Sequence, residues 1–342
     1  MRTSGPFYRG PNAQLEFDLE TRRPLDKLKV TPRRFGSGHE RTHPDCFSNR
    51  GNSRQHDELR MVTGPDTRIQ RVFQDIVTGR RPRLIPYFTA GFPDNDAVAD
   101  FVRSAESLAV PCIEIGFPFS DSIADGAVIQ ASHHAALEAG QTVDATFRFV
   151  SNIRKDVTAA LVAMVSYSIL YRAGVDQFVD HAAAAGFDGL IVPDVPLEEA
   201  DPIIDAAERT GIAFVGLVAP TTPLARRLEI SQRSSGFVYQ LAVAGTTGER
   251  QELPATLAEH VRELRRSCDL PIAVGFGIST PEQVRAVCTV ADAAIVGSAV
   301  IRRIADAVAS ESPRAVMIAS VSNYLAQLAS AARISGPAIS AT

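Results

Sequence analysis

Residues 271–298 read PIAVGFGISTPEQVRAVCTVADAAIVGS. A run of Ile, Ala and Val closes on the glycines of GFG. An amphipathic segment then opens on Thr280 and Pro281, and a second apolar run closes on Gly297 and Ser298. Strand, glycine turn, helix and strand in so few residues make a βαβ unit. Neither apolar run alternates with polar residues, so both faces of each strand are buried, as in a parallel sheet covered by helices on both sides.

The same unit recurs toward the N-terminus. RLIPYFT (83–89) precedes a helical pattern at 95–109 with Val98, Phe101, Val102, Ala105 and Leu108 on one face. CIEIGF (112–117) precedes a helix from about 127 to 139. ALVAMVSY (160–167) precedes VDQFVDHAAAAG, and DGLIVPD (188–194) precedes PLEEADPIIDAAERTG. IAFVGLVA (212–219) and GFVYQLA (236–242) have their own helical partners, and the last unit trails into a helical stretch ending near residue 332. Eight strands, each followed by helix over about 250 residues, specify an α/β fold: the (β/α)8 TIM barrel. An open doubly wound sheet would carry a glycine-rich fingerprint after its first strand, and YFTAGFPDN supplies one glycine. An extra N-terminal helix at about 66–77 (DTRIQRVFQDIV) is placed to cover the bottom of the barrel.

Residues 1–60 differ in kind. They hold 12 Lys/Arg against 8 Asp/Glu, are rich in Gly, Pro, Asn and Ser, and show no apolar period. They read as a disordered N-terminal extension or as a misassigned start upstream of Met61, leaving 61–342 as the catalytic barrel domain. The whole chain of 342 residues has net charge −4 and pI near 6.0, so no basic field recruits nucleic acid or an anionic membrane. Its four cysteines lie far apart without metal-ligand spacing, which suits reduced thiols in a cytoplasmic protein. No apolar run reaches membrane-spanning length and no secretory signal opens the chain.

In such a barrel the chemistry sits at the C-terminal ends of the strands. GFGIST and VGSA end adjacent strands just before helices, where free N–H groups and the helix dipole favour an anion. A phosphorylated ligand follows, held by backbone dipoles because neither loop contains Lys. The second strand ends IEIGFPFSDSIADG (113–126). Glu114 within it is a carboxylate pointed into the barrel, with Arg172 and Arg250 as the nearest loop cations. Such a group is costly unless paired or protonated, and a raised pKa makes it a general acid–base. Asp125 reads either as a helix N-cap or as a second functional acid. His133 and His134, adjacent on a helix, point about 100° apart and cannot chelate together. They read as surface residues, and no metal site is expected.

With these segments in order, the chain from about 65 to 332 resembles the tryptophan synthase alpha subunit family, the indole-3-glycerol-phosphate lyase barrels. LIPYFTAGFPD, IEIGFPFSDSIADG, IVPDVPLEE, GTTG, GFGIST and VGSAVI carry the resemblance. It implies an aldol-type carbon–carbon lyase: reversible retro-aldol cleavage of indole-3-glycerol phosphate to indole and D-glyceraldehyde 3-phosphate, in the last step of L-tryptophan biosynthesis. It implies Glu114 as the proton-handling catalytic residue and Asp125 as the partner of the indole N–H. It further implies substrate contacts from Tyr87, Tyr239, Thr247, Gly248, Phe276, Gly277, Gly297 and Ser298. Asp121, Ser122 and Ser168 would face a beta subunit in an alpha2beta2 heterotetramer. No cofactor is implied for this half-reaction, pyridoxal phosphate being expected only in the beta subunit. The chain departs from the family at Ser122, where Pro is usual, at Ser166 and Ser168 after the third strand, and at Ala242. These leave two other readings, a stand-alone lyase releasing free indole and a non-catalytic paralogue that activates a partner.

Overall fold

The computed structural model describes residues 67–243, 253–266 and 268–333. The reading of residues 1–60, and of Met61 as the start, lies outside them. Nine parallel strands form one sheet among the described residues: β1 (Leu84–Thr89), β2 (Cys112–Gly116), β3 (Ala160–Met164), β4 (Gly189–Ile191), β5 (Ala213–Val215), β6 (Leu217–Val218), β7 (Val238–Leu241), β8 (Ile272–Gly275) and β9 (Ala293–Val296). Their order is β5-β4-β3-β2-β1-β9-β8-β7-β6. The two ends of this order, β5 and β6, are consecutive in the chain and separated by Gly216 alone, so the sheet closes on itself as a barrel.

That division accounts for nine strands where eight apolar runs were expected. The fifth run breaks at Gly216, which packs against α8 (Leu224–Arg233) and the residue after it. A Cβ on Gly216 would lie 2.5 Å from Ser234 Oγ and 2.7 Å from Ile230 Cγ2. Ser234 Oγ accepts the Gly216 N–H at 3.1 Å and Ser235 Oγ the Phe214 N–H at 3.0 Å. Side-chain hydroxyls thus satisfy backbone donors on this strand, and the ladder is interrupted there.

The helices surround the sheet. α1 (Arg68–Val77) starts with a capping box, Thr67 accepting from the Gln70 N–H while the Gln70 side chain accepts from Thr67 N–H. It buries Ile69, Val72, Phe73 and Ile76, a face of the kind that stabilises by about 1.5–3 kcal/mol per large side chain. Ile69 fills the space left by Gly189 at the start of β4 and by Gly236 before β7, and Phe73 packs on Phe237 with ring centroids 5.4 Å apart. The expected cover over the bottom of the barrel is therefore in place.

The remaining helices are α2 (Asn95–Ser107), α3 (Ala127–Glu138), α4 (Val143–Arg154), α5 (Tyr167–Ala173), α6 (Val175–Ala185), α7 (Asp201–Thr210), α8, α9 (Leu257–Arg265), α10 (Pro281–Cys288), α11 (Ser298–Ala309) and α12 (Arg314–Ala331). Three differ from the sequence reading. α4 was not anticipated; Thr142 caps it by accepting the Ala145 N–H, and it buries Phe147, Phe149, Val150 and Ile153. The third strand ends at Met164 rather than running to 167. Asp194 accepts the Ser166 hydroxyl at 2.6 Å and the Tyr167 N–H at 2.7 Å, and Ser166 caps α5. The final helical stretch is two helices, broken at Glu311, whose φ is 50°, and at Pro313, which precedes α12.

Candidate active site

The pocket at the C-terminal end of the barrel is built from opposite sides of the sheet. Tyr87 on β1 pairs with Glu114 on β2, and Gly116 follows two residues later on the same face. The Tyr87 side chain leans across Gly116, where a Cβ would lie 1.9 Å from the Tyr87 hydroxyl. The arrangement repeats across the barrel. Tyr239 on β7 pairs with Ala273 on β8 and leans across Gly275, where a Cβ would lie 2.1 Å from its hydroxyl. Each glycine is required by the close approach of a tyrosine rather than by its own backbone angles.

Tyr87, Glu114, Asp125, Tyr239, Phe276, Gly277, Gly297 and Ser298 line one pocket of about 410 Å³, counted to its open mouth. These eight expected positions thus converge, whereas Thr247 and Gly248 lie outside the described residues. Ile129, Met164, Ile278 and Ile295 add an apolar wall that the sequence reading did not identify. The spacing of Ile129, Ser132, His133 and Ala136 along α3 is that of one helical face, and all four are buried. That period is the signal by which Ile129 could have been found.

Glu114 is 1% exposed, and its Oε1 has no hydrogen-bond partner among the described residues. Burial pushes its pKa up to about 8, with the Asp125 carboxylate a second, smaller cause. Neither Arg172 nor any other described cation pairs with it in an ion pair. Asp125 is held differently. Burial raises its pKa to about 6, the Ser122 hydroxyl bond opposes the rise, and the Asp194 charge adds to it. Asp125 does not cap α3. The N-cap is Gly126, without a side-chain bond, and the Asp125 carboxylate instead accepts a short hydrogen bond from Ser122. Gln130 Nε2 donates to the carbonyls of both Ser122 and Asp125 at 2.9 Å, fastening the loop from within α3.

The anion end of the pocket is asymmetric. Phe276 and Gly277 both have positive φ, 72° and 87°, and turn the chain sharply after β8. The helix that follows, α10, is closed at its N-terminus. Thr280 accepts the Gln283 N–H, and Gln283 Oε1 accepts the N–H groups of Ser279 and Thr280 at 2.7 and 3.1 Å. The expectation that both glycine loops lead into open helix ends is therefore corrected for this one. α11 is the open end: its N-cap Gly297 provides no side-chain bond, and no acid sits in its first turn. Its first N–H groups and positive dipole end face the pocket at Gly297 and Ser298. No Lys or Arg lines the pocket among the described residues.

Three residues expected on a partner-facing rim separate in the structure. Asp121 and Ser168 are exposed, whereas Ser122 is half-buried and bonded to Asp125. The histidine pair separates too. His134 is exposed and pairs with Glu138, but His133 is buried, in contrast to its reading as a surface residue. It sits against Tyr87, 3.0 Å from its hydroxyl. No cluster of three or more His, Cys, Asp or Glu suited to a metal occurs among the described residues.

The family model for the tryptophan synthase alpha chain matches residues 73–332. A curated tryptophan synthase alpha chain of Rhodopirellula baltica is 41% identical over 245 residues, 71% of this chain and 88% of the relative. That of Thermococcus kodakarensis is 42% identical over 222 residues, 65% of this chain and 88% of the relative. Among solved structures, a chain of Mycobacterium tuberculosis tryptophan synthase superposes with a TM-score of 0.70 at 30% identity, covering 78% of this chain and 99% of that one. A tryptophan synthase alpha subunit from Pyrococcus furiosus gives 0.66 at 35% identity, covering 72% and 98%.

Proposed function

The chain belongs to the tryptophan synthase alpha chain family, and on that premise we propose that Glu114 and Asp125 carry its reaction. The reaction is the reversible cleavage of indole-3-glycerol phosphate to indole and D-glyceraldehyde 3-phosphate in tryptophan biosynthesis. The observation that carries the assignment is the buried Glu114 carboxyl, with Oε1 lacking a hydrogen-bond partner and its pKa raised by burial to about 8. As an acid it donates its proton to indole C3. The ring nitrogen then bears positive charge, and an ionised Asp125 accepting its N–H stabilises that charge. The Glu114 carboxylate next takes the proton of the hydroxyl on the carbon attached to C3. The carbon–carbon bond breaks, its electrons return to the ring, and the hydroxyl carbon leaves as the aldehyde. Glu114 ends protonated, as it began.

The open N-terminus of α11 with the Gly277 turn holds the phosphate, and the wall of Ile129, Met164 and Ile295 takes the indole ring. Tyr87 and Tyr239 bound the ring region from opposite sides. Thr247 and Gly248 are proposed to contact substrate from the loop after β7. The lyase step needs no cofactor, pyridoxal phosphate belonging to the beta subunit. No described helix is long and apolar enough to cross a membrane, and a cytoplasmic location is part of the same proposal.

A beta subunit is the proposed partner, in an alpha2beta2 arrangement. Asp121 and Ser168 are proposed as partner-facing. Beside them Ile123, in the loop after β2, and Tyr171, on α5, are each 75% exposed, apolar surface that a docked partner would cover. The test is indole release from indole-3-glycerol phosphate by the purified chain, alone and with a beta subunit. Stimulation by the partner is the expected result; equal rates in both assays support a stand-alone lyase. A chain inert in both contradicts the lyase assignment.

A further inference from the structure

His133 has both ring nitrogens engaged, and each bond reaches a different part of the site. The Phe119 N–H lies 3.4 Å from Nδ1. A backbone N–H only donates, so Nδ1 is the acceptor and the proton of the neutral ring sits on Nε2. Nε2–H then donates to the Tyr87 hydroxyl at 3.0 Å. Burial keeps the ring neutral, its pKa lowered to about 4. Next to it on α3, the Ser132 hydroxyl donates to the Ile129 carbonyl at 2.7 Å and meets Thr89 Oγ1 at 2.7 Å. Thr89 Oγ1 also lies 3.4 Å from the Tyr87 hydroxyl, so the two β1 side chains meet each other as well as α3. Two adjacent residues of α3 therefore bond to two inward residues of β1, Tyr87 and Thr89. His133 alone also holds Phe119, at the start of the loop that carries Asp125.

We propose that His133 is a positioning residue of this active site, tying the Asp125 loop through Phe119 to the strand that presents Tyr87. Gln130 and Ser122 fasten the far end of the same loop. His133 fastens its beginning, so the loop is fixed at both ends by side chains of α3. The device costs little entropy because helix and strand are already ordered by packing. Asp125 must face the indole nitrogen as charge develops, and such orientation is sensitive to displacements of about 1 Å. The consequence falls on turnover rather than on phosphate binding, because the phosphate end is built from β8 and α11.

The catalytic part rests on the lyase reading above; the tie itself does not. The test uses the whole chain and four proteins: wild type, His133→Leu, His133→Gln and Tyr87→Phe. Amide exchange over residues 117–126 is measured beside kcat and KM. His133→Leu removes both bonds. It should speed exchange in that segment and lower kcat on the order of tenfold, leaving KM for D-glyceraldehyde 3-phosphate in the reverse direction unchanged. Glutamine can accept from the Phe119 N–H with its carbonyl and donate to Tyr87 with its amide, so His133→Gln should restore both readouts. Unchanged exchange or unchanged kcat in His133→Leu overturns the proposal, as does a folded His133→Gln that behaves like the leucine variant. If His133→Leu fails to fold, Tyr87→Phe breaks the same tie from the other side. Faster exchange at 117–126 then supports it and unchanged exchange overturns it. An inactive wild type would count against the lyase reading and leave the exchange comparison standing.

Discussion

Glu114 and Asp125 titrate on opposite sides of neutrality, at about 8 and about 6, and each value has its main cause in burial. The proposed roles need Glu114 protonated and Asp125 ionised. The pH profile of kcat/KM should therefore rise through about 6, fall above about 8, and lose its lower limb in Asp125→Asn. Stability responds with a definite sign. The folded pKa of Glu114 lies above its ordinary value of 4.5, so its protonated form contributes stability that is complete below pH 4.5 and lost as pH rises through about 8. Glu114→Gln should accordingly be more stable than wild type at pH 8, by on the order of 4 kcal/mol, and match it near pH 4. Gly116→Ala puts a methyl 1.9 Å from the Tyr87 hydroxyl and should cost about 1–3 kcal/mol together with much of the activity. At this scale Glu114 was legible as a candidate because a carboxylate within an apolar strand is costly without a task, whereas Asp125 read equally as a helix cap and took its role from the family resemblance. His133 was not legible, because adjacent histidines were judged by whether they could chelate and not by which of them shares the buried face of Ile129 and Ala136.

In the proposed site, the helix ends decide how a phosphate would be held. α10 satisfies its own N-terminus through the Thr280–Gln283 capping box, and α11 leaves its own open toward the pocket. The two ends should respond oppositely to substitution. Ser298→Asp places a negative charge where it favours the α11 dipole but repels the phosphate. It should hold or raise the melting temperature and raise KM for indole-3-glycerol phosphate by tenfold or more, an effect on the order of 1.4 kcal/mol. Thr280→Ala should cost about 1 kcal/mol of stability, with a smaller change in KM. The apolar runs made the barrel legible, since period and length identify buried strands without any tertiary information. The divided fifth strand, the cap at Ser166 and the closed end of α10 depend on side chains distant in sequence or on which amides are already taken. Glycine before a helix marks a turn; it does not say whether the helix end is free. α4 was within reach of a periodicity argument, since Phe147, Val150 and Ile153 recur at helical spacing after the cap Thr142.

The whole molecule follows from one requirement. A (β/α)8 barrel collects strand ends at one face, so residues as far apart as Tyr87 and Ser298 share a pocket. We propose residues 61–342 as the catalytic domain. A chain beginning at Met61 should keep wild-type kcat and KM, and loss of activity would assign residues 1–60 a part in the reaction. The most direct measurement is single-turnover release of indole from indole-3-glycerol phosphate, with a beta subunit present, by wild type and by Glu114→Gln. Glutamine keeps the size of the side chain and removes its proton transfer. The rate should fall by about 10²–10⁴, the range for a lost general acid–base, with D-glyceraldehyde 3-phosphate still bound. A Glu114→Gln variant that releases indole at the wild-type rate would contradict the placement of the chemistry on Glu114.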